Sequence, residues 1–249
     1  MTEPQPPTEL PAAPPGEAID PSAGPEPERI PAAAPPKRRP YNQWSPDARA
    51  LNIMGDKWTL LIIRDLASGP RRYIELERTL PGISNEQLRL RVGRMVEAGL
   101  LTRRRYREVP PRVEYELTEQ GCALLPVVGA LARWGFRWAW SQPEEIEAID
   151  IGAILRITPG LLKPQPGLRG SAELTVRLDA MTSRCYTLTM TDHAVQISER
   201  GDADAHTRIA GSRADWIDAL GPTYDRRGLV VEGDAGLAAR LLDAISDVA

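Results

Sequence analysis

Two periodicities divide the chain after residue 40, a helical one of three to four residues and a strand-like one of two. "SPDARALNIMG" predicts a first helix: Ser45 is a good N-cap, Pro46 suits the first helical position, and Gly55 closes it. "DKWTLLIIRDLASGP" repeats that grammar, with Asp56 as cap and Gly69-Pro70 as stop. Its Trp58, Leu60, Leu61, Ile62, Ile63 and Leu66 surround most of the helix, so it is the expected buried centre. "YIELERTL" predicts a short helix with Tyr73, Leu76 and Leu80 inward, and "PGI" a tight turn. Ser84 and Gln87 then stand at capping-box spacing before Leu88, Val92, Met95 and Val96, which share one face up to Gly99. Residues 84–98 would make a rod of roughly 22 Å.

The period then changes to two. "LLTRRRYRE" and "RVEYELT" read as strands around the turn "VPP", with Val113, Tyr115 and Leu117 on one face. "EQGCALLPVVGALARWGFRWAWS" predicts one long closing helix containing Trp134, Trp138 and Trp140. Helices, turn, helix, two-stranded ribbon and helix, in that order, make a mainly α winged helix-turn-helix over residues 41–142.

From residue 143 to 249 the pattern predicts an α+β domain, a sheet with helices on one face. "SAELTVRLDA", "RCYTLTMTD", "HAVQISER", "AHTRIAGS" and "GLVVEGD" read as strands. "RADWIDAL" reads as a helix clustering Trp216, Ile217 and Leu220, and Asp234 caps a last helix striped by Leu237, Leu241 and Ile245. Residues 1–40 hold thirteen of the 24 prolines and, besides Met1, only Leu10 and Ile30 as large aliphatics. Such a segment buries too little to offset ordering entropy, which predicts a disordered tail ending in Lys37, Arg38 and Arg39.

Charge sharpens this division. The formal net of −3 splits into −2 over residues 1–40, +5 over 41–141 and −6 over 142–249. Residues 84–112 alone carry eight arginines against three glutamates. A basic island between acidic neighbours suggests a polyanion partner, although a charge run by itself is more often a solvated face. The absence of an apolar run of 18 residues and of a signal-like N-terminus predicts a cytoplasmic protein with no membrane partner. Cys122 and Cys185 are far apart and form no metal-binding pattern. Only two histidines occur, His193 and His206, and there is no GxSxG, GxGxxG or Walker motif, so neither catalysis nor a cofactor is expected.

With Leu88, Val92 and Met95 inward, the opposite face of the fourth helix carries Glu86, Gln87, Leu90 and Arg94, flanked by Arg89 and Arg91. A helix fits the B-DNA major groove, where its N-terminal residues, here Ser84 and Asn85 onward, meet base edges and arginines reach phosphates. The ribbon adds Arg103, Arg104, Arg105, Arg107 and Arg112. These residues are the predicted contact set for double-stranded DNA. The rival readings are a protein-interaction module whose winged part serves assembly, and a lipid carrier with a vestigial winged part.

The blocks GDKW, GPRRYIEL, LPGIS and VPPRVEYELT, spread over residues 45–140, resemble the HxlR-type winged-helix regulators of bacteria. The resemblance implies a repressor-like homodimer, held by its first and last helices, on a pseudo-palindromic operator. On that basis the three tryptophans pack either against a second copy or against the C-terminal segment. Some members of that family sense oxidants through a cysteine just before the first helix; here that position is Ser45, which cannot ionise as a thiolate does. Cys122 is expected to be an inert core thiol.

"HTRIAGSRADWIDAL" and "GLVVEGDAGLAARLLDAI" resemble the sterol carrier protein (SCP) fold, less closely. That resemblance implies an apolar tunnel for a small-molecule effector, lined by Leu174, Val176, Leu188, Met190, Ile209, Trp216 and Leu241. Alternation alone does not distinguish such a tunnel from a filled core.

Overall fold

The computed structural model describes residues 40–107, 111–165 and 168–246. The predicted tail, with Lys37, Arg38 and Arg39, therefore lies outside the described residues apart from Pro40. In helix α1 (Pro46–Met54) the Ser45 hydroxyl accepts from the Ala48 N–H at 3.4 Å. Helix α2 (Thr59–Leu66) is capped from two residues upstream, where one Asp56 oxygen accepts from the Trp58 and Thr59 N–H groups at 2.8 and 3.0 Å. Ile62, Ile63 and Leu66 are buried, which makes α2 the centre of the first core.

Arg71–Arg72 form a short strand β1 that the hydrophobic pattern did not signal. It leads into α3 (Tyr73–Thr79), followed by α4 (Asn85–Glu97). The Ser84–Gln87 capping box closes as its spacing predicted, and Gly99 at φ +73° ends α4 while Leu100 N–H donates back to the Met95 carbonyl at 2.9 Å. Leu88, Val92 and Met95 are buried, and full burial of such side chains stabilises the fold by about 1.5–3 kcal/mol each. Strands β2 (Leu101–Tyr106) and β3 (Arg112–Leu117) pair antiparallel, and β1 joins the far side of β3 in the order β1-β3-β2. The expected two-stranded ribbon is thus three-stranded at its base.

The single long closing helix is in fact two, α5 (Glu119–Cys122) and α6 (Leu125–Trp138). Pro126, within the first turn of α6, has no N–H to continue a helix from Cys122, so the chain restarts there.

Two short helices, α7 (Ile151–Leu155) and α8 (Thr158–Leu161), connect to the second unit. This unit has a five-stranded mixed sheet of β4 (Gly170–Arg177), β5 (Ser183–Met190), β6 (Val195–Ser198), β7 (Thr207–Ser212) and β8 (Val230–Gly233). Its order is β6-β5-β4-β7-β8, with β4 and β7 parallel and the other pairs antiparallel. Helices α9 (Arg213–Leu220) and α10 (Ala235–Ser246) bury Trp216, Leu237, Leu241 and Ile245 in the same core as the sheet. The Asp234 carboxylate accepts from the Leu237 N–H at 2.8 Å, as its predicted capping role requires. No helix of the described residues is long and apolar enough to cross a membrane.

The two units are joined over a broad seam. Helices α6 and α8 touch backbone to backbone: a Cβ on Gly129 would lie 1.9 Å from the Gly160 carbonyl oxygen. Trp140 Nε1–H donates to the Leu220 carbonyl at 2.9 Å. Arg156, with no exposed side-chain surface, joins Asp65 of α2 through Nε at 3.1 Å and Glu199 through Nη1 at 2.9 Å, and also pairs with Asp150. Asp65, equally buried, further receives Arg64 Nε at 2.9 Å and the Thr79 hydroxyl at 2.7 Å. Arg71 Nε donates to the Asp65 carbonyl at 2.6 Å, and its guanidinium also pairs with Glu199. Burial opposes charge on Arg156, but the three carboxylates outweigh it and hold the guanidinium more firmly protonated than usual.

Arg156→Ala should therefore leave a buried, undercompensated carboxylate cluster and lower stability by about 3–5 kcal/mol. Urea unfolding followed by circular dichroism checks this, and a change below about 1 kcal/mol would mean that the cluster does not hold the seam.

Candidate nucleic-acid interface

The outward face of α4 is built by its own capping and by α3. Ser84 and Gln87 are occupied in the capping box, at 3.2 and 3.5 Å. Asn85 is tied to α3: the Tyr73 hydroxyl donates to its backbone carbonyl at 2.6 Å and its Oδ1 at 2.9 Å, while its Nδ2 donates to Glu77 at 2.9 Å. Burial first, and then Glu77, pushes the Tyr73 phenol above its ordinary pKa, so the hydroxyl keeps the proton it donates. These three residues hold the helix-turn-helix angle. Glu86, Arg89 and Leu90 are exposed beside them.

Arg91 does not flank an outward face. Its side chain is 13% exposed and its Nη1 lies 2.9 Å from Oδ2 of Asp56, the residue that caps α2. A guanidinium reaches the neighbouring helix from a position that helical spacing alone assigns to the rim. Arg94 is half-buried rather than fully outward.

Strand register sorts the ribbon arginines. The pairs Leu101–Leu117, Arg103–Tyr115 and Arg105–Val113 place Arg103 and Arg105 on the face that continues into the core. The opposite face gathers Arg104 and Arg112 with Glu114 and Glu116. There Arg104 pairs with Glu116 at 2.9 Å and Arg112 with Glu114 at 3.1 Å, and Arg112 also stacks 4.4 Å over Tyr106. Much of the charge on this face, Arg112 of the predicted set included, is neutralised within the ribbon. Arg105 and Arg107 are exposed, and residues 108–110 at the tip lie outside the described residues. The glutamates of β3 carried the signal for this compensation, since alternate residues of paired strands share a face.

Two further expectations are corrected. Cys122 is exposed rather than a core thiol; partial desolvation of the sulfur, with Glu116 nearby, raises its pKa and keeps it a thiol. The seven expected tunnel residues, Leu174, Val176, Leu188, Met190, Ile209, Trp216 and Leu241, are 0–3% exposed and belong to one packed core, at whose edges Val176 and Met190 border separate cavities. Interiors fill to crystal-like density wherever side chains fit, so the alternating stripe became packing. Two cavities, of about 380 Å³ and about 440 Å³, lie where this unit meets the first, and a more open one of about 550 Å³ is bordered by Gly170, Ser171, Met190 and His206 of the second unit.

Apolar side chains remain exposed on α6 at one helical spacing: Val127, Leu131, Trp134 and Trp138 are 41, 52, 59 and 67% accessible. Leu51 and Ile53 of α1 are also exposed. Among the described residues, Trp140 is the one of the three tryptophans that is hydrogen-bonded to the second unit.

Residues 53–143 match the model of the HxlR-like helix-turn-helix family. A protein of Methanothermobacter thermautotrophicus, described as an uncharacterized HTH-type transcriptional regulator, is 41% identical over 86 residues, covering 34% of this chain and 66% of that protein. The HTH-type transcriptional regulator YkvN of Bacillus subtilis is 37% identical over 95 residues, covering 38% of this chain and 80% of its own length. The reduced form of the transcriptional regulator YodB from B. subtilis is 32% identical with a TM-score of 0.35, covering 39% of this chain and 96% of that one.

Arg91→Ala should destabilise the fold by about 1–3 kcal/mol, because the buried Asp56 carboxylate loses its cation. A shift of the urea midpoint at unchanged m-value is the expected result. An unchanged midpoint would return Arg91 to the solvent-facing set.

Proposed function

We propose, from the premise that this chain belongs to the HxlR-like helix-turn-helix family of transcriptional regulators, that α4 enters the major groove of an operator as part of a homodimeric repressor. Glu86, Arg89 and Leu90 are its base-edge and groove-wall candidates, with Arg94 beside them. Arg103, Arg105 and Arg107 of the ribbon serve the flanking phosphates. The carrying observation is that Ser84, Asn85 and Gln87 are committed to capping and to α3, so α4 is firmly seated while Arg89 is exposed on its outer face. Arg91 and Arg112 act through the fold, by their pairs with Asp56 and Glu114.

Dimerisation is supported by the exposed stripe on α6 and by Leu51 and Ile53 of α1. Four apolar side chains spaced along one helix face would leave water if matched with a second copy. The C-terminal unit, whose sequence blocks "HTRIAGSRADWIDAL" and "GLVVEGDAGLAARLLDAI" resemble the SCP fold, is the effector-responsive half, and the protein acts in the cytoplasm. A ligand regulates such a dimer only through different affinity for its DNA-competent and incompetent conformers.

Genomic fragments captured by the purified full chain supply the probe. Arg89→Ala and Arg105→Ala should each weaken binding and reduce the slope of log K against log salt by about 0.9 for every lost phosphate contact. Fluorescence anisotropy at several salt concentrations reads this, and unchanged slopes in both variants would contradict the interface. For assembly, Leu131→Glu with Trp134→Glu should convert a dimer to a monomer in sedimentation velocity and weaken operator binding. A wild-type chain that sediments as a monomer would remove the dimer.

A further inference from the structure

The cavity of about 380 Å³ at the seam is bordered by Arg78 and Arg213, one from each unit. Arg78 lies on α3 of the helix-turn-helix, and Arg213 opens α9 of the C-terminal unit. Neither guanidinium has an ion pair or hydrogen bond among the described residues. The other two arginines on the wall are already engaged: Arg64 pairs with Asp65 at 2.9 Å, and Arg184 lies 3.6 Å from Asp150. Asp150, the carboxylate on this wall, is also held by Arg156, so it does not neutralise the remaining pair.

Tyr186 is an independent sign. Its side chain is 1% exposed and borders the cavity, yet its hydroxyl has no hydrogen-bond partner among the described residues. The hydroxyl lies against Gly152 and is able to donate to an acceptor that enters the cavity. Burial, and then Asp150, raises the phenol above its usual pKa, so it remains a donor. Much of the rest of the wall is apolar, including Trp58, Leu61 and Ile149. Cationic donors among apolar surface, in a volume within the usual range for ligand sites of about 300–1,000 Å³, fit an organic anion with an apolar body.

We propose that this cavity binds a small amphiphilic carboxylate, its head bridging Arg78, Arg213 and the Tyr186 hydroxyl and its body lying against Trp58, Leu61 and Ile149. The proposal deepens the reading of the C-terminal unit as effector-responsive and rests on it for its regulatory meaning. It moves the ligand from the sheet interior to the seam. A head group shared by the two arginines ties α3 to α9, and α3 in turn holds α4 through Asn85. The bound carboxylate thus favours one seating of α4 relative to the second unit.

Isothermal titration of the full chain with octanoate and with 2-naphthoate tests this, with 1-octanol and octyltrimethylammonium as uncharged and cationic counterparts. At least one carboxylate should bind, and which of the two is tighter distinguishes an alkyl from an aromatic body. Arg78→Gln and Arg213→Gln should each weaken it about tenfold or more, as loss of a charge-assisted hydrogen bond does. Tyr186→Phe should weaken it less, and Arg78→Lys should restore part of what Arg78→Gln loses. Because Arg78 and Arg213 are exposed, melting curves without ligand should match wild type and separate lost binding from misfolding. Absence of binding by both carboxylates, equal binding of octanol or the ammonium, or indifference to both arginine variants would overturn the site. The titration uses no DNA, so a chain that takes up the carboxylate but captures no genomic fragment keeps the site and loses the regulator reading.

Discussion

Arg156 is a fully buried cation, and its three carboxylates are drawn from different parts of the chain: Asp65 in α2, Asp150 before α7 and Glu199 after β6. Desolvating a guanidinium is costly, and only the simultaneous presence of all three anions makes its position tolerable. That condition fixes where the second unit can sit on the first. Arg71 extends the constraint to the ribbon, because the same side chain holds the Asp65 carbonyl and Glu199 while its backbone belongs to β1 beside β3. Thr79 extends it to the end of α3. The helix-turn-helix and the ribbon are therefore referenced to one charge cluster rather than joined only by chain continuity.

From that frame the division of labour on α4 follows. Residues at the start of a helix are asked both to satisfy its orphan N–H groups and to face any groove it enters. Here Ser84 and Gln87 take the first task and Asn85 fixes the crossing with α3, which leaves Glu86, Arg89 and Leu90 for the second. Arg91 takes up a third task, neutralising the Asp56 carboxylate that caps α2. The density of arginine in this region thus reflects folding as well as recognition: Arg71, Arg91, Arg104 and Arg112 all have carboxylate partners within the protein.

The seam between the units is also where ligand-sized space remains. Two units meeting over helices α6 and α8 do not fill every gap between their cores. Cavities at such junctions combine walls from both sides, so their occupancy is sensitive to how the sides are placed. A regulatory role for the C-terminal unit then needs no long relay, since α3 borders the cavity and also grips α4.

Local chemistry was legible in the chain itself. Ser45 and Pro46, the Ser84–Gln87 box, Gly99 and Asp234 specify helix ends through hydrogen bonds spanning a few residues, and each acts as its spacing predicts. The alternation in β4 to β7 likewise identified the inward side chains, because one face of a half-buried strand is set by period alone. What periodicity could not supply was anything decided between distant segments. Arg71–Arg72 is too short a stretch to announce a strand, and becomes one only because β3 offers it a ladder. Helical spacing puts Arg91 at the rim of the outward face, and only the fold brings it to Asp56. The stripe that suggested a tunnel shows which side chains turn inward and not whether they touch, so a closed core and a cavity read alike until the opposing helices are in place. Sequence by itself determined most of the elements, with their caps and inner faces, since those depend on neighbours along the chain. Tertiary structure alone decided which arginines are neutralised and where space is left, since charge pairing and packing act between residues as far apart as Asp65 and Arg156.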